Sequence, residues 1–362
     1  MRHHPGRLGF GVVVCLLAGL LTAAPAAAAD TRFTIYVATN GDDGNSGRTL
    51  ADAVATLAGA QRVLVAAAPS TDVEIRIAPG EYVAPTTRWS ALVAGHTISF
   101  LPLDYNYSGS LPPGGRPVFR SDGTPGYWMW ANLPAGHPGG DTKLRFYYLD
   151  ITGYGSGGLA IVGPTATIGG LKRPTGNGMN ANTIYGMRFH HMGKKYSTDP
   201  YGYGGLVMWN SRNNTIQNNH FENLENPGSD GVLIHGIYLS HGASNNLISK
   251  NAFRWISGGP MRVRNDSNGN LVRENTFTRT SVDPVGFFSE WSCNQSCATT
   301  HDQPVECGSH GNIFEYNTLY DGYDGKWLPS WHRTPAGADY VGPAGCSNDG
   351  EPWLETRSNV RP

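Results

Sequence analysis

Charge is scarce in this chain: Lys, Arg, Asp and Glu together make up 15% of it and nearly cancel, leaving a formal net charge of −1. That balance gives no electrostatic footprint for nucleic acid or for an anionic membrane surface. Long apolar runs are almost as rare. The one that exists, Leu8 to Leu21, follows Arg2 and Arg7 and precedes Ala27-Ala28-Ala29, which reads as a secretory leader over residues 1–29. No later segment approaches the roughly 18 apolar residues that a membrane span needs. Cysteine is missing between Cys15, inside that leader, and Cys293. The remaining four, Cys293, Cys297, Cys307 and Cys346, suggest two disulfides in an exported protein, with three pairings open, stapling an irregular C-terminal segment. A zinc site is the rival reading, although no C-x-x-C pair is present.

Repetition is abundant instead. Ile248, Asn251 and Phe253 return as Val272, Asn275 and Phe277, each 24 residues further along. The same phrase stands at Ile216, Asn219 and Phe221, and more loosely at Phe314, Asn317 and Leu319. Copies without the asparagine sit at Ile184, Met187, Phe189 and at Phe146, Leu149, Ile151. Short apolar alternations at a recurring period, punctuated by Asn, Gly and Ser, are the mark of a solenoid. Side chains on strands alternate between faces, so the aliphatic and Phe positions are expected to stack inside a tube at roughly 4.8 Å per coil. Asn219, Asn251, Asn275 and Asn317 are then expected to form an internal ladder of amides at a turn. A solenoid needs no second core, so residues 30–362 are expected to form one domain: a cap over about 34–82, regular coils over about 143–320 and a tail over 321–362.

From Thr34 the chain runs through Ile35-Tyr36-Val37, a turn at Asn40-Gly41-Asp42, a helical stretch near Leu50 to Ala68, a strand from Val73 to Ile77 and a Pro79-Gly80-Glu81-Tyr82 turn. In order and kind these elements resemble the N-terminal cap of secreted right-handed parallel β-helix proteins of the pectate-lyase-like superfamily. The resemblance implies an all-β, right-handed parallel β-helix whose open N-terminal end is covered by the helix, protecting its unpaired edge.

A regular tube has no pocket of its own, so function is expected on an outward column of one sheet. If Ile237 and Leu239 point inward, Tyr238 and Ser240 point out. One coil on, Met261 and Val263 point in, and Arg262 and Arg264 emerge above them. In Gly286-Phe287-Phe288-Ser289-Glu290 the glutamate is expected to continue the Arg264 position. The result is a patch of Tyr238, His241, Arg262, Arg264 and Glu290, with His235 as a second base candidate. Lys194 and Lys195 can reach in from the loop 190–205, and Trp209 completes the substrate-contacting set. Trp128 and Trp130 read either as a sugar platform or as core beneath a loop.

Gly259, Arg264 and Asn275-Thr276-Phe277 are similar to a layout in the polysaccharide lyase family that includes chondroitin- and alginate-cleaving β-helix enzymes. That family carries an outward Arg five residues after a Gly and an Asn-x-Phe phrase beyond it. It places a Lys base in the preceding coil, where this chain has Ser240 and His241, and a His after the Arg, where it has Asn265. The resemblance implies β-elimination on an extracellular, uronate-containing polysaccharide by a monomer that engages neither nucleic acid nor membrane. Arg264, with Arg262, would neutralise the uronate carboxylate, and His241 or Tyr238 would act as base or acid. No cofactor is required by this reading. Ca²⁺ is an optional substitute for an arginine, with Asp230, Asp266 or Asp283 as ligands. Two other readings stay open: a glycoside hydrolase using Glu290 with Asp230 or Asp283, and a non-catalytic carbohydrate-binding or surface β-helix.

Overall fold

The computed structural model describes Met1 and residues 32–282, 285–334, 340–346 and 352–362. The leader expected over residues 1–29 lies, Met1 apart, outside the described residues, as does Asp283.

The chain from Arg32 onward forms a right-handed parallel β-helix. Its wall consists of one ten-stranded and two eight-stranded sheets, each built by adding one strand per coil. The first sheet runs from Phe33–Val37 to Leu354–Arg357. The second runs from Glu81–Ala84 to Thr318–Leu319 and the third from Thr87–Trp89 to Trp331–Thr334. The sheets reach well N-terminal of Lys143, where long loops hide the repeat in the sequence. No described helix is long and apolar enough to cross a membrane.

The core is a set of columns. Phe146, Ile184, Ile216, Ile248, Val272 and Phe314 pair in register through the first sheet. Ile151, Phe189, Phe221, Phe253, Phe277 and Leu319 do so through the second. Successive phenylalanines stack with nearly parallel rings, with centroids 5.2 Å (Phe189 to Phe221), 5.0 Å (Phe221 to Phe253) and 4.7 Å (Phe253 to Phe277) apart. The third sheet leaves them room with glycine. A Cβ on Gly158, Gly205 or Gly236 would fall 2.5, 2.7 or 2.5 Å from a ring carbon of Phe189, Phe221 or Phe253.

Between the first and second sheets, Asn219, Asn251, Asn275 and Asn317 are buried and joined side chain to side chain. Each Nδ2 donates to the next Oδ1 at 2.9 to 3.1 Å, and the series ends on Asn359. Each Oδ1 also accepts the backbone N–H of the asparagine one coil earlier. The residue before each, Asn218, Lys250, Glu274 or Tyr316, has φ of 53 to 58°. Lys, Glu and Tyr in that left-handed region cost about 1 to 2 kcal/mol each, which the amide column offsets. A second column, Asn182, Asn214, Asn246, Asn270 and Asn312, does the same work at the corner entering the first sheet. Its members stand two residues before the aliphatic position (Asn246 before Ile248, Asn270 before Val272), an offset readable in the sequence but not exploited there.

The cap consists of a 3-10 turn, Leu50–Asp52, and a helix, Leu57–Ala67, whose Thr56 N-cap accepts from the Gly59 N–H. It buries Leu57, Ala60 and Leu64 against the end of the tube. Disulfides join Cys293 to Cys297 and Cys307 to Cys346.

Asn251→Ala removes both the acceptor for Asn219 and the donor to Asn275 while leaving the neighbours buried. It should lower unfolding free energy by about 2 to 4 kcal/mol in urea titration, whereas Gln217→Ala on the outer face should change it by less than about 0.5 kcal/mol.

Candidate active site

The outward face of the third sheet carries two neighbouring columns. In one, Val207, Tyr238, Arg262 and Ser289 stand in register; in the other, Trp209, Ser240 and Arg264. Coils of unequal length wall this face. Asn219 to Asn251 spans 32 residues, Asn251 to Asn275 only 24, and Asn275 to Asn317 spans 42. The longer coils supply Tyr203, Val232 and Leu233 on one side and Val285, Trp291, His301 and Gln303 on the other. Together they enclose a cavity of about 770 Å³, floored by Tyr238, Ser240, Arg262 and Arg264 and extended by Tyr127, Trp130 and Trp209.

The two arginines are not equivalent. Arg264 Nε lies 2.8 and 2.7 Å from the two oxygens of Glu306, which is 2% exposed. Its terminal nitrogens reach Tyr238 Oη at 3.3 Å and Gln303 Oε1 at 3.1 Å, and its guanidinium lies 4.2 Å from the Trp291 ring centroid. Burial works against its charge, but Tyr238 and Glu306 outweigh that and hold its pKa above the ordinary arginine value. Arg262 is half-buried, donates from Nε to Ser289 Oγ at 2.8 Å, and forms no direct ion pair among the described residues, although the buried Glu290 carboxylate acts on it through space. Burial brings it down to about 10, with Tyr238 holding it up, Arg264 pushing it further down and Glu290 holding it up again. It remains a cation at neutral pH, with its terminal nitrogens free to meet an anion.

The histidines are neutral and present opposite faces. The His235 Nδ1–H donates to the Gly259 carbonyl at 2.8 Å, leaving Nε2 as a bare acceptor. Burial, then Arg262, holds its pKa well below 6.5. His241 Nδ1 accepts from Asn265 Nδ2 at 2.8 Å. The Asn265 amide is oriented by the Cys307 N–H on its oxygen and the Lys172 carbonyl on its nitrogen. His241 therefore carries its proton on Nε2 and offers a donor, not a base. Burial, then Arg264 and Lys172, brings its pKa to about 3. Trp209 Nε1 and Ser240 Oγ, both from residues lining the cavity, have no hydrogen-bond partner among the described residues.

The structure thus brings Tyr238, His235, His241, Arg262, Arg264 and Trp209 together and excludes three expected members. Glu290 pairs with Val263, not with Arg264, so it belongs to the inward phase; it is fully buried and accepts from Ser292 Oγ and the Ser309 N–H. The reason is the Phe287-Phe288 doublet, which leaves the strand phase open. Phe288 faces in with Met261, which turns Ser289 outward. Lys194 is drawn to Asp230 at 2.9 Å and Lys195 to Glu225 at 2.7 Å, and neither lines the cavity. Trp128 is core at 1% exposure, whereas Trp130 lines the cavity. For Ca²⁺ the residues do not fit: Asp230 is engaged by Lys194, Asp266 by Asn268, and among the described residues no three His, Cys, Asp or Glu side chains converge.

Glu306 is the site residue that the sequence reading missed. It lies in the irregular part of the 42-residue coil, outside any strand, held by mutual hydrogen bonds with Cys293 and next to the Cys307–Cys346 bridge. A single glutamate between two cysteines in a segment without periodicity carries no signal that ties it to Arg264.

A three-sided tube of parallel sheets is the architecture of right-handed β-helix proteins. Residues 170–300 match the family model described as right handed beta helix region. Among solved structures the chain is similar to a rhamnogalacturonan lyase, with 17% identity over 80% of this chain and 69% of that one and a TM-score of 0.53. It is also similar to an alginate lyase from Paenibacillus sp. str. FPU-7, with 16% identity over 91% of this chain and 95% of that one and a TM-score of 0.52. At these identities the likeness is one of fold. No curated protein matches the chain.

Glu306→Ala leaves the Arg264 charge enclosed without its carboxylate and should cost about 3 to 5 kcal/mol of stability; Gln303→Ala, nearer solvent, should cost under about 1 kcal/mol by the same denaturation assay. The depressed histidine pKa sets a pH window as well. Between the unfolded value near 6.5 and the folded value of about 3 for His241, the unfolded chain binds the extra proton, so stability falls as pH is lowered through that range. His241→Asn should flatten the difference in unfolding free energy between pH 6.5 and pH 4 relative to wild type.

Proposed function

We propose that the protein is a secreted carbohydrate-active enzyme that cleaves a uronate-containing polysaccharide by β-elimination. The observation that carries this reading is Arg262: a half-buried guanidinium that forms no direct ion pair among the described residues, on the floor of a cavity walled by tyrosine and tryptophan. Its planar fork suits the carboxylate of a uronate sugar, and neutralising that group acidifies the adjacent carbon. In the proposed step the proton on that carbon passes to His235 Nε2. The electron pair left behind forms the carbon–carbon double bond and the glycosidic carbon–oxygen bond breaks. The leaving oxygen takes the phenolic proton of Tyr238, whose hydroxyl Arg264 holds in place. Return of the His235 proton to Tyr238 through solvent resets the site. The two disulfides favour an oxidising, extracellular setting. The two solved structures of similar fold are by name a rhamnogalacturonan lyase and an alginate lyase, which supports a polysaccharide lyase here.

Hydrolysis needs two carboxyl groups about 5 to 9.5 Å apart across the bond. Among the described residues lining the cavity there is no Asp or Glu, so the elimination reading is the stronger one.

Purified protein incubated with polygalacturonate, alginate, rhamnogalacturonan and chondroitin should generate ultraviolet absorbance from unsaturated ends on at least one polymer. Arg262→Ala should lower that rate about 10²- to 10³-fold with unchanged thermal stability. New reducing ends without absorbance would point to a hydrolase, and retention of polymer without cleavage to a binding module.

A further inference from the structure

The column holding Tyr238 and Arg262 does not end at the cavity. Towards the N-terminal cap it continues through Val207, Ala160 and Trp130 to Arg88 on the strand Thr87–Trp89. We infer that Arg88 and Trp130 form a distal subsite for a second uronate residue of the same polysaccharide chain. The ligand class rests on the function proposed above; the placement rests on geometry alone.

Arg88 is exposed and has no carboxylate partner among the described residues. Glu81, which lines the same hollow as Arg88, is taken by Arg120 at 2.7 Å. The Arg88 guanidinium lies instead 5.3 Å from the centroid of the Trp130 ring. Such a contact keeps the charge available to an anion while fixing its position. Its strand is anchored by the cap helix: Gln61 donates to the Arg88 carbonyl at 3.0 Å and accepts from the Ser90 and Ala91 N–H groups at 2.6 and 3.1 Å. The backbone beneath the subsite is therefore held in place before any ligand arrives.

The surface between the two arginines is continuous and uncharged. Trp130 meets Tyr127 at 5.3 Å and Trp209 at 5.8 Å between centroids, and these close over Ala160, which is fully buried. All three aromatics line the cavity that holds Arg262. From Arg88 to Arg262 there are five interstrand steps, roughly 24 Å at about 4.8 Å each. A polymer lying along the tube axis and seated on Arg262 would pass over Trp209 and Trp130 and bring a later carboxylate to Arg88, while an oligosaccharide too short to span that distance would not.

The test uses Arg88→Ala and Arg88→Glu in the full protein, with two readouts. Retardation in native gels containing polygalacturonate, alginate, rhamnogalacturonan or chondroitin reports binding without reference to cleavage. KM and kcat on the cleaved polymer and on its trimer report the span. The expected result is a three- to tenfold weaker retention and a comparable rise in KM on polymer for Arg88→Ala, a larger effect for Arg88→Glu, and unchanged kcat, trimer kinetics and melting temperature. Wild-type retention and polymer KM in both variants would overturn the subsite. Weakened retention in the variants, with none of the four polymers cleaved by the wild type, would uphold the subsite and overturn the elimination reading. No retention of the wild type by any of the four polymers would overturn both.

Discussion

Amide-to-amide hydrogen bonding between asparagines one coil apart sets the axial register of this protein, and everything at the site inherits that register. Each Oδ1 accepts both a side-chain and a backbone N–H from the coil before it, so a coil displaced by one residue would lose both bonds in a buried corner. A one-residue slip would also exchange inward and outward faces. The two amide columns flank the first sheet, and the stacked phenylalanines fill the second. The third sheet, freed of large inward side chains at Gly158, Gly205 and Gly236, takes its register from the other two and displays Tyr238 beside Arg262 and Ser240 beside Arg264.

Within that frame the site is an exercise in charge matching. Two arginines two positions apart on a strand would repel each other in a half-buried cavity if both were unpaired. Glu306 pairs directly with one of them, and the other is balanced only through space, by Glu290, so its guanidinium keeps no ion-pair contact among the described residues. The histidines add none, because burial beside cations keeps both neutral. The same compensation divides the labour: Arg264 becomes a fixed brace for the Tyr238 hydroxyl, and Arg262 becomes the group that meets an anion.

What the sequence reveals follows from periodicity. Wherever coils are short, as between Asn251 and Asn275, the alternation of Ile248, Phe253, Met261 and Val263 assigns faces directly, and the outward pair Arg262 and Arg264 is legible from it. Where two apolar residues stand together, as at Phe287-Phe288, the phase is undetermined, which is why Glu290 was expected outside and lies inside. Where a coil is lengthened, its insertions fold by contacts that have no period. The turns of Lys194 and Lys195 towards Asp230 and Glu225, and of Glu306 towards Arg264, arise from such contacts. The Asn265 amide shows a subtler limit. Its oxygen and nitrogen are fixed by Cys307 and Lys172, and only that arrangement reveals that His241 is a donor.

The unequal coil lengths have a consequence for how such a surface changes over time. Functional groups along the tube sit at whole multiples of the strand spacing, so the distance between any two of them behaves as a stepped ruler that only the gain or loss of an entire turn can reset. Residues added at a corner, by contrast, raise a wall without moving a rung. Depth and reach are thus independent variables in this architecture, one adjusted residue by residue and the other only in increments of a full circuit of the chain.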